Sequence, residues 1–293
     1  MIRRLQEYFR CGRRMIALAA ALAFHAAAFV AVAEHRRGVA ARARWLSRTC
    51  RAVLRAIGVR ASAVGRQPAA GVVVCNHLGY LDILVLASQT PVVFVAKREV
   101  RDWPIFGWFA RMAGTQFVDR ARRGDVVRVA AQLSPVLAAG VSVVLFLEGT
   151  SSDGREVLPF KSSLLDPVVR GGMPVVPAAI SYVAPPGHSA ATELCWWGDM
   201  TLTPHLLNLL SLHRVQAYLG WGEPIAGEND RKKLAALAHG RVIALHRALS
   251  GCDHASLEGA TAQPQPSSRA VSSVVLLSLC SLLHPFLSMC ASR

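Results

Sequence analysis

The residue pattern predicts an α/β fold: a largely parallel sheet flanked by helices, with an N-terminal membrane-docking helical segment. Three observations predict it. Short β-branched runs alternate with helix-length stretches between residues 72 and 249, the rhythm of strand–helix units around a parallel sheet. Those runs are continuously apolar, as strands covered on both faces are. The chain also opens with 18 uncharged residues, 16 to 33, bracketed by arginine.

Taken in order, residues 16–33 read IALAAALAFHAAAFVAVA. As a helix they reach ~27 Å against a hydrocarbon core of ~30 Å, a marginal span. Arg3, Arg4, Arg10, Arg13 and Arg14 precede them, and Arg36, Arg37, Arg42 and Arg44 follow, so charge bias gives no orientation. Ala31-Val32-Ala33 resembles a signal cleavage site, but the Arg-rich stretch that follows opposes export. An anchor is the preferred reading. In 39–60, Arg44, Arg48, Arg51 and Arg55 form one stripe, and Leu46, Cys50, Val53 and Ile57 form another at the same helical spacing. Such a helix suits an anionic lipid surface, or equally an ordinary packing role with its Arg face in water. The two helices together suggest a one-leaflet, re-entrant anchor over residues 1–60.

The α/β domain is assigned to 61–260. Its strands are expected at Val72 to Cys75, Pro91 to Ala96, Val141 to Leu147 and Val175 to Tyr182. The last is the least secure because of Pro174 and Pro177. Helices are expected near 81–88, 104–113, 125–139, 204–211 and 229–249. Residues 261–293 hold a Pro/Ser linker, TAQPQPSSR, and an apolar stretch, 270–290, that suits a second membrane segment or a locally docked tail.

Composition narrows the partners. Hydrophobic residues make up 53% of the chain, which excludes disorder. Lys and Arg total 33 against 18 acidic residues, a net charge of +15, and only four of the cations are Lys. An apolar, basic chain points to an anionic membrane surface. Aromatic content of 7% is thin for stacking on bases, so nucleic acid is not the expected partner. The seven Cys form no Cys-x-x-Cys and the ten His no His-x-x-x-His, so neither a disulfide framework nor a metal site is expected.

Chemistry gathers at strand ends, where ligands of such sheets bind. The run Val-Val-Val-Cys-Asn76-His77-Leu-Gly-Tyr-Leu-Asp82 puts a His directly after a strand and an Asp five residues on. On one regular helix the two would face apart, but with His77 in the strand-to-helix turn Asp82 can reach its ring. A His held by a carboxylate is the usual general base; the alternative is a loop His beside a helix-capping Asn76. Lys97 then precedes an aromatic segment, Trp103-Pro-Ile-Phe-Gly-Trp108, and Phe117-Val-Asp-Arg120 follows. Cations beside apolar surface suit a ligand with an anionic head and a greasy tail. A third strand ends in Glu148-Gly149-Thr150-Ser151-Ser152-Asp153-Gly154, with Leu-Pro-Phe-Lys161 after it, and Val176-Pro177 opens a fourth block. Cys75 reads as a core thiol.

Over roughly 72–182, these four blocks resemble the glycerolipid acyltransferase superfamily, of the 1-acylglycerol-3-phosphate O-acyltransferase (PlsC-like) type. The resemblance implies a membrane acyltransferase without cofactor or metal, taking acyl-CoA or acyl-carrier protein as donor and a lysolipid hydroxyl as acceptor. It implies His77 as base and Asp82 as its partner. Lys97, Arg120, Glu148, Gly149, Thr150 and Lys161 are the expected substrate-binding residues, and the cytoplasmic face of the inner membrane the expected location. The family block commonly continues Glu-Gly-Thr-Arg, whereas Ser151 stands here. Phosphatidate formation from 1-acylglycerol-3-phosphate ranks first, because it is the superfamily's commonest reaction. Acylation of lyso-ornithine lipid or another lysolipid ranks close behind, since Trp197-Gly198-Asp199-Met200 before Pro204-His205 resembles that branch. A non-catalytic basic membrane-surface protein is the rival from another class, and it leaves the motif blocks unexplained.

Overall fold

The computed structural model describes residues 2–32, 38–67, 69–119 and 123–251. The expected C-terminal linker and apolar segment, 261–293, lie outside the described residues. Two N-terminal helices, α1 (Ile2–Ala31) and α2 (Gly38–Ile57), precede strands β1 (Val59–Val64) and β2 (Val72–Cys75). Next come α3 (Tyr80–Gln89), β3 (Val92–Lys97), α4 (Phe106–Ala113), β4 (Gln116–Val118), α5 (Arg123–Ala138) and β5 (Ser142–Leu145). The chain continues through α6 (Asp166–Arg170), β6 (Val175–Val183), α7 (Ala190–Glu193), α8 (Leu202–Ser211), β7 (Val215–Trp221) and α9 (Arg231–Gly251).

The strands form one sheet in the order β1-β7-β6-β2-β5-β3-β4, parallel except where β6 meets β7. The four strands expected from sequence are its centre. They are short because both faces are covered: Val73 and Cys75 join the core shared with α2, α3 and α8, while Val72 and Val74 join the core shared with α5, α6 and α9. Pro177 is tolerated inside β6 because it lies one residue before the first β6–β7 pair, Ala178↔Trp221. Its carbonyl still accepts from the Gly222 amide at 2.9 Å. The carboxyl ends of β2, β3, β5 and β6 share one edge of the sheet, and the candidate site lies there.

The basic helix resolves into a packed element. Leu46, Cys50, Val53 and Ile57 are buried in the domain core, and Arg44, Arg48, Arg51 and Arg55 are exposed. It ends at Gly58, whose φ of +77° and contact with Arg14 leave no room for a side chain. Helix α1 runs longer than its apolar stretch and lies against the body along its length. Arg10 donates to the Ser211 carbonyl at 2.5 Å, and Arg14 to those of Leu210, Leu212 and His213 at 3.2, 2.6 and 3.3 Å. Further along, Phe29 packs on Trp45 at 4.7 Å between ring centroids, and Trp45 donates to the His25 carbonyl at 2.9 Å.

Arg14 is 7% exposed and caps the end of α8, so it fastens α1 by charge-assisted bonds where carbonyls are otherwise unpaired. Arg14→Ala should destabilise the fold by about 2–4 kcal/mol, with Arg14→Lys intermediate. Thermal melting in detergent checks this, and unchanged melting would remove the staple role.

Candidate active site

The turn from β2 into α3 carries the expected pair. Asn76 does not cap the helix. Its side chain instead bonds both ways to Ile180 of β6, donating to the carbonyl at 3.0 Å and accepting from the amide at 2.8 Å. This extends the β2–β6 pairing beyond the last residue of β2 and fixes where His77 leaves the sheet. Gly79 takes the N-cap position with φ +150°, and a Cβ there would meet the Trp196 amide nitrogen at 2.9 Å. Trp196 in turn donates its amide to the Leu78 carbonyl at 2.8 Å.

Asp82 is fully buried, and its carboxylate is solvated by protein alone. Oδ2 accepts from His77 Nδ1 at 2.7 Å, from the Leu78 amide at 2.6 Å and from the Gly79 amide at 3.0 Å. Oδ1 accepts from the Tyr182 hydroxyl. Its place in the first turn of α3 adds the favourable end of the helix dipole. With Nδ1–H committed to Asp82, His77 has Nε2 free to take a proton. The ring stacks on Phe146 at 4.1 Å between centroids and is 22% exposed. Cys75 is fully buried, and burial pushes its thiol well above the ordinary range, which suits a core residue rather than a nucleophile.

The Glu-Gly-Thr block lies behind and beside this pair. Glu148 is 2% exposed and sits under His77, accepting from the Leu158 amide at 3.3 Å; its Oε2 has no partner among the described residues. Burial, reinforced by the Asp82 charge and opposed by hydrogen bonds from the His77 and Leu158 amides, pushes its carboxyl up to about 8. Gly149 turns the chain with φ +79°, and the Ser152 amide donates to the His77 carbonyl at 2.9 Å. Residues 149–152 are therefore laid along the backbone of the His. Thr150, Lys97 and Lys161 are exposed; Lys97 ends β3, and the Lys161 amide donates to the Leu147 carbonyl at 2.8 Å. The structure thus brings His77, Asp82, Glu148 and Gly149 together. It places the two lysines and Thr150 on the surrounding surface, and Arg120 lies outside the described residues.

Beside the turn lies an apolar groove of about 700 Å³, walled by Met15, Leu18 and Leu22 of α1, Trp103 to Phe106, and Leu206 and Leu210 of α8. Trp196 belongs both to this wall and to the contact on Leu78 and Gly79, so the groove adjoins the turn that carries His77. Tyr80, one residue past Gly79, bonds to His205 Nδ1 at 3.0 Å, and His205 Nε2 bonds to the Cys195 carbonyl at 3.0 Å. Sequence reasoning missed Tyr182, Phe146 and Trp196. Tyr182 offered a faint signal, a polar residue that with Ser181 interrupts a largely apolar strand near its end.

An acyltransferase family model matches residues 57–181. The "Lyso-ornithine lipid O-acyltransferase" of Brucella abortus (strain 2308) is 40% identical over 210 residues, covering 67% of this chain and 79% of that protein. The "1-acyl-sn-glycerol-3-phosphate acyltransferase" of Neisseria gonorrhoeae is 30% identical over 143 residues, 49% of this chain and 55% of that one. The crystal structure of the 1-acyl-sn-glycerophosphate acyltransferase PlsC from Thermotoga maritima superposes with a TM-score of 0.64 at 20% identity. That match covers 85% of this chain and 98% of the other, a likeness of fold.

Two outcomes test the geometry. Tyr182→Phe removes one donor to Asp82 and should lower kcat about tenfold with KM nearly unchanged, because the aim of His77 is altered and no acceptor contact is lost. A KM-only effect would contradict that role. For Glu148, raised from 4.5 to about 8, the native state keeps a proton that the unfolded chain has lost between those values. Stability should therefore fall as pH rises through that window and level off above it. Glu148→Gln should flatten the profile and melt higher at alkaline pH, as calorimetry across the window will show.

Proposed function

The chain belongs to the glycerolipid acyltransferase superfamily, and we propose that it transfers an acyl group from a thioester donor to the hydroxyl of lyso-ornithine lipid. The observation that carries the reaction is the His77–Asp82 dyad at the border of an apolar groove. His77 Nε2 takes the acceptor's hydroxyl proton while the oxygen attacks the thioester carbonyl. The tetrahedral oxyanion collapses, the C–S bond breaks, and the proton passes from the imidazolium to the departing thiolate. Acyl-CoA and acyl-carrier protein both supply the required thioester, and no metal or cofactor enters the step.

For the acceptor, the relative with greater identity and coverage carries the lyso-ornithine name, ahead of the phosphatidate-forming activity ranked first from sequence alone. The loop tied to His77 supports this order. It presents Ser151 and Asp153, both half-buried, with Arg155 Nε 3.4 Å from Asp153 Oδ2 and the Arg155 side chain 81% exposed. An ornithine head group brings an ammonium and a carboxylate, which such a pair complements. A phosphomonoester would meet the Asp153 charge at close quarters.

Membrane attachment is the reading that α1 supports, as the one described helix long and apolar enough to cross a bilayer. It is fastened to α8 and α2, so crossing would draw the catalytic body into hydrocarbon. We place it in the interfacial plane, with the site on the cytoplasmic face, where thioester donors are made.

Purified full-length protein should acylate lyso-ornithine lipid at least tenfold more efficiently than 1-acylglycerol-3-phosphate, measured as kcat/KM with labelled acyl-CoA and acyl-carrier protein. Asp153→Asn should erode that preference, and His77→Ala should cut turnover ~10²–10⁴-fold. Equal use of both acceptors would overturn the head-group assignment; near-normal transfer by His77→Ala would overturn the mechanism.

A further inference from the structure

The segment joining β3 to α4 exposes apolar surface that the dyad does not explain. Trp103, Ile105, Phe106 and Trp108 are 42, 62, 38 and 48% exposed, four large apolar side chains within six residues. The turn is firmly held. Ile105 has φ +62°, the only positive value at a non-glycine among the described residues, a strained conformation for a β-branched residue. A Cβ on Gly107 would lie 2.2 Å from the Arg101 carbonyl oxygen, so the turn closes only around glycine. Arg111 donates to that same carbonyl at 2.8 Å, and Arg42 of α2 caps the end of α4 through the Met112 carbonyl at 2.7 Å and the Arg111 carbonyl. A rigid apolar tip, kept in a strained conformation and turned outward, is suited to entering an apolar phase.

We propose that the 103–108 turn is a second membrane contact, inserting into the bilayer surface beside α1 so that the groove between them opens towards lipid. This rests on the lipid-acylation reading and adds a surface to it. Continuity is the first argument. Trp103, Ile105 and Phe106 wall one side of the groove, and Met15, Leu18 and Leu22 of α1 wall the other. The outward face of α1 also exposes Leu5, Phe9, Ile16, Phe24 and Val30. Two apolar surfaces thus flank one opening. Residue chemistry is the second, since Trp favours the membrane–water boundary. Exposed Lys97, Arg98, Arg101 and Arg111 outnumber Glu99 and Asp102 around the tip, a balance that suits anionic lipid, and their stems can extend to the head groups.

Helix α1 contains no Trp, so tryptophan quenching can report the tip separately. The full chain is mixed with phosphatidylcholine/phosphatidylglycerol vesicles carrying brominated acyl chains. Emission should be quenched in the wild type, and most of that quenching should vanish in a Trp103→Phe/Trp108→Phe double variant. Ile105→Asp should weaken vesicle partitioning about tenfold, from the apolar burial it forfeits. The proposal is overturned if quenching persists in the double variant and Ile105→Asp partitions normally. It is overturned as well if the tip variants abolish self-association while leaving vesicle binding intact, for the patch would then be a protein interface. Absence of acyl transfer by every protein, the wild type included, would strike the enzymatic reading while quenching still judged the membrane contact.

Discussion

A carboxylate cut off from water keeps its charge only if the protein replaces the lost solvation, and Asp82 obtains that replacement from four donors. Two are backbone amides at the start of α3, one is the His77 ring, and one is a hydroxyl from the end of β6. The β2–β6 pairing must be in register to bring Tyr182 there, and Asn76 holds that register past the end of β2. Gly79 must be glycine because Trp196 occupies the space beside it. The aim of His77 is therefore set by the sheet, the helix start and a distant loop together. Its sequence neighbours alone could not set it.

Two of the N-terminal arginines do more than carry surface charge. Arg14 of α1 caps the end of α8, and Arg42 of α2 caps the end of α4. Those are the body elements on either side of the apolar groove. Each guanidinium meets carbonyls that have no partner within their own helix, the arrangement a cation at a helix C-terminus favours. Helix α1 thus supplies part of the groove wall, and α2 holds the end of the helix on its other side.

How much of this was legible in the sequence depended on whether the signal was local. The central strands were readable because burial on both faces makes them apolar without a break. Strands β1, β4 and β7 escaped notice: β4 has three residues, and β1 (VRASAV) and β7 (VQAYLGW) mix polar with apolar residues. The dyad could be read because five residues of separation make sense only across a strand-to-helix turn. Tyr182 could not, since its partner lies 100 residues away. Arg14 and Arg42 were counted as flanking charge because composition does not distinguish a solvated guanidinium from one capping a helix. Glu148 was expected in an acceptor-binding or structural role; its contacts place it beneath the His77 backbone.

That position gives Glu148 a consequence for the base. With its carboxyl pushed up to about 8 by burial, it is mostly uncharged at neutral pH, which leaves Asp82 as the close negative charge behind His77. A general base in acyl transfer must accept a proton and then release it to the leaving thiolate. A second carboxylate charge behind the ring would hold the proton there when the thiolate needs it. Burying Glu148 so deeply that it stays protonated lets the chain keep a polar strut under the His77 backbone without adding that charge. One face of the His77 ring is covered by its stack on Phe146.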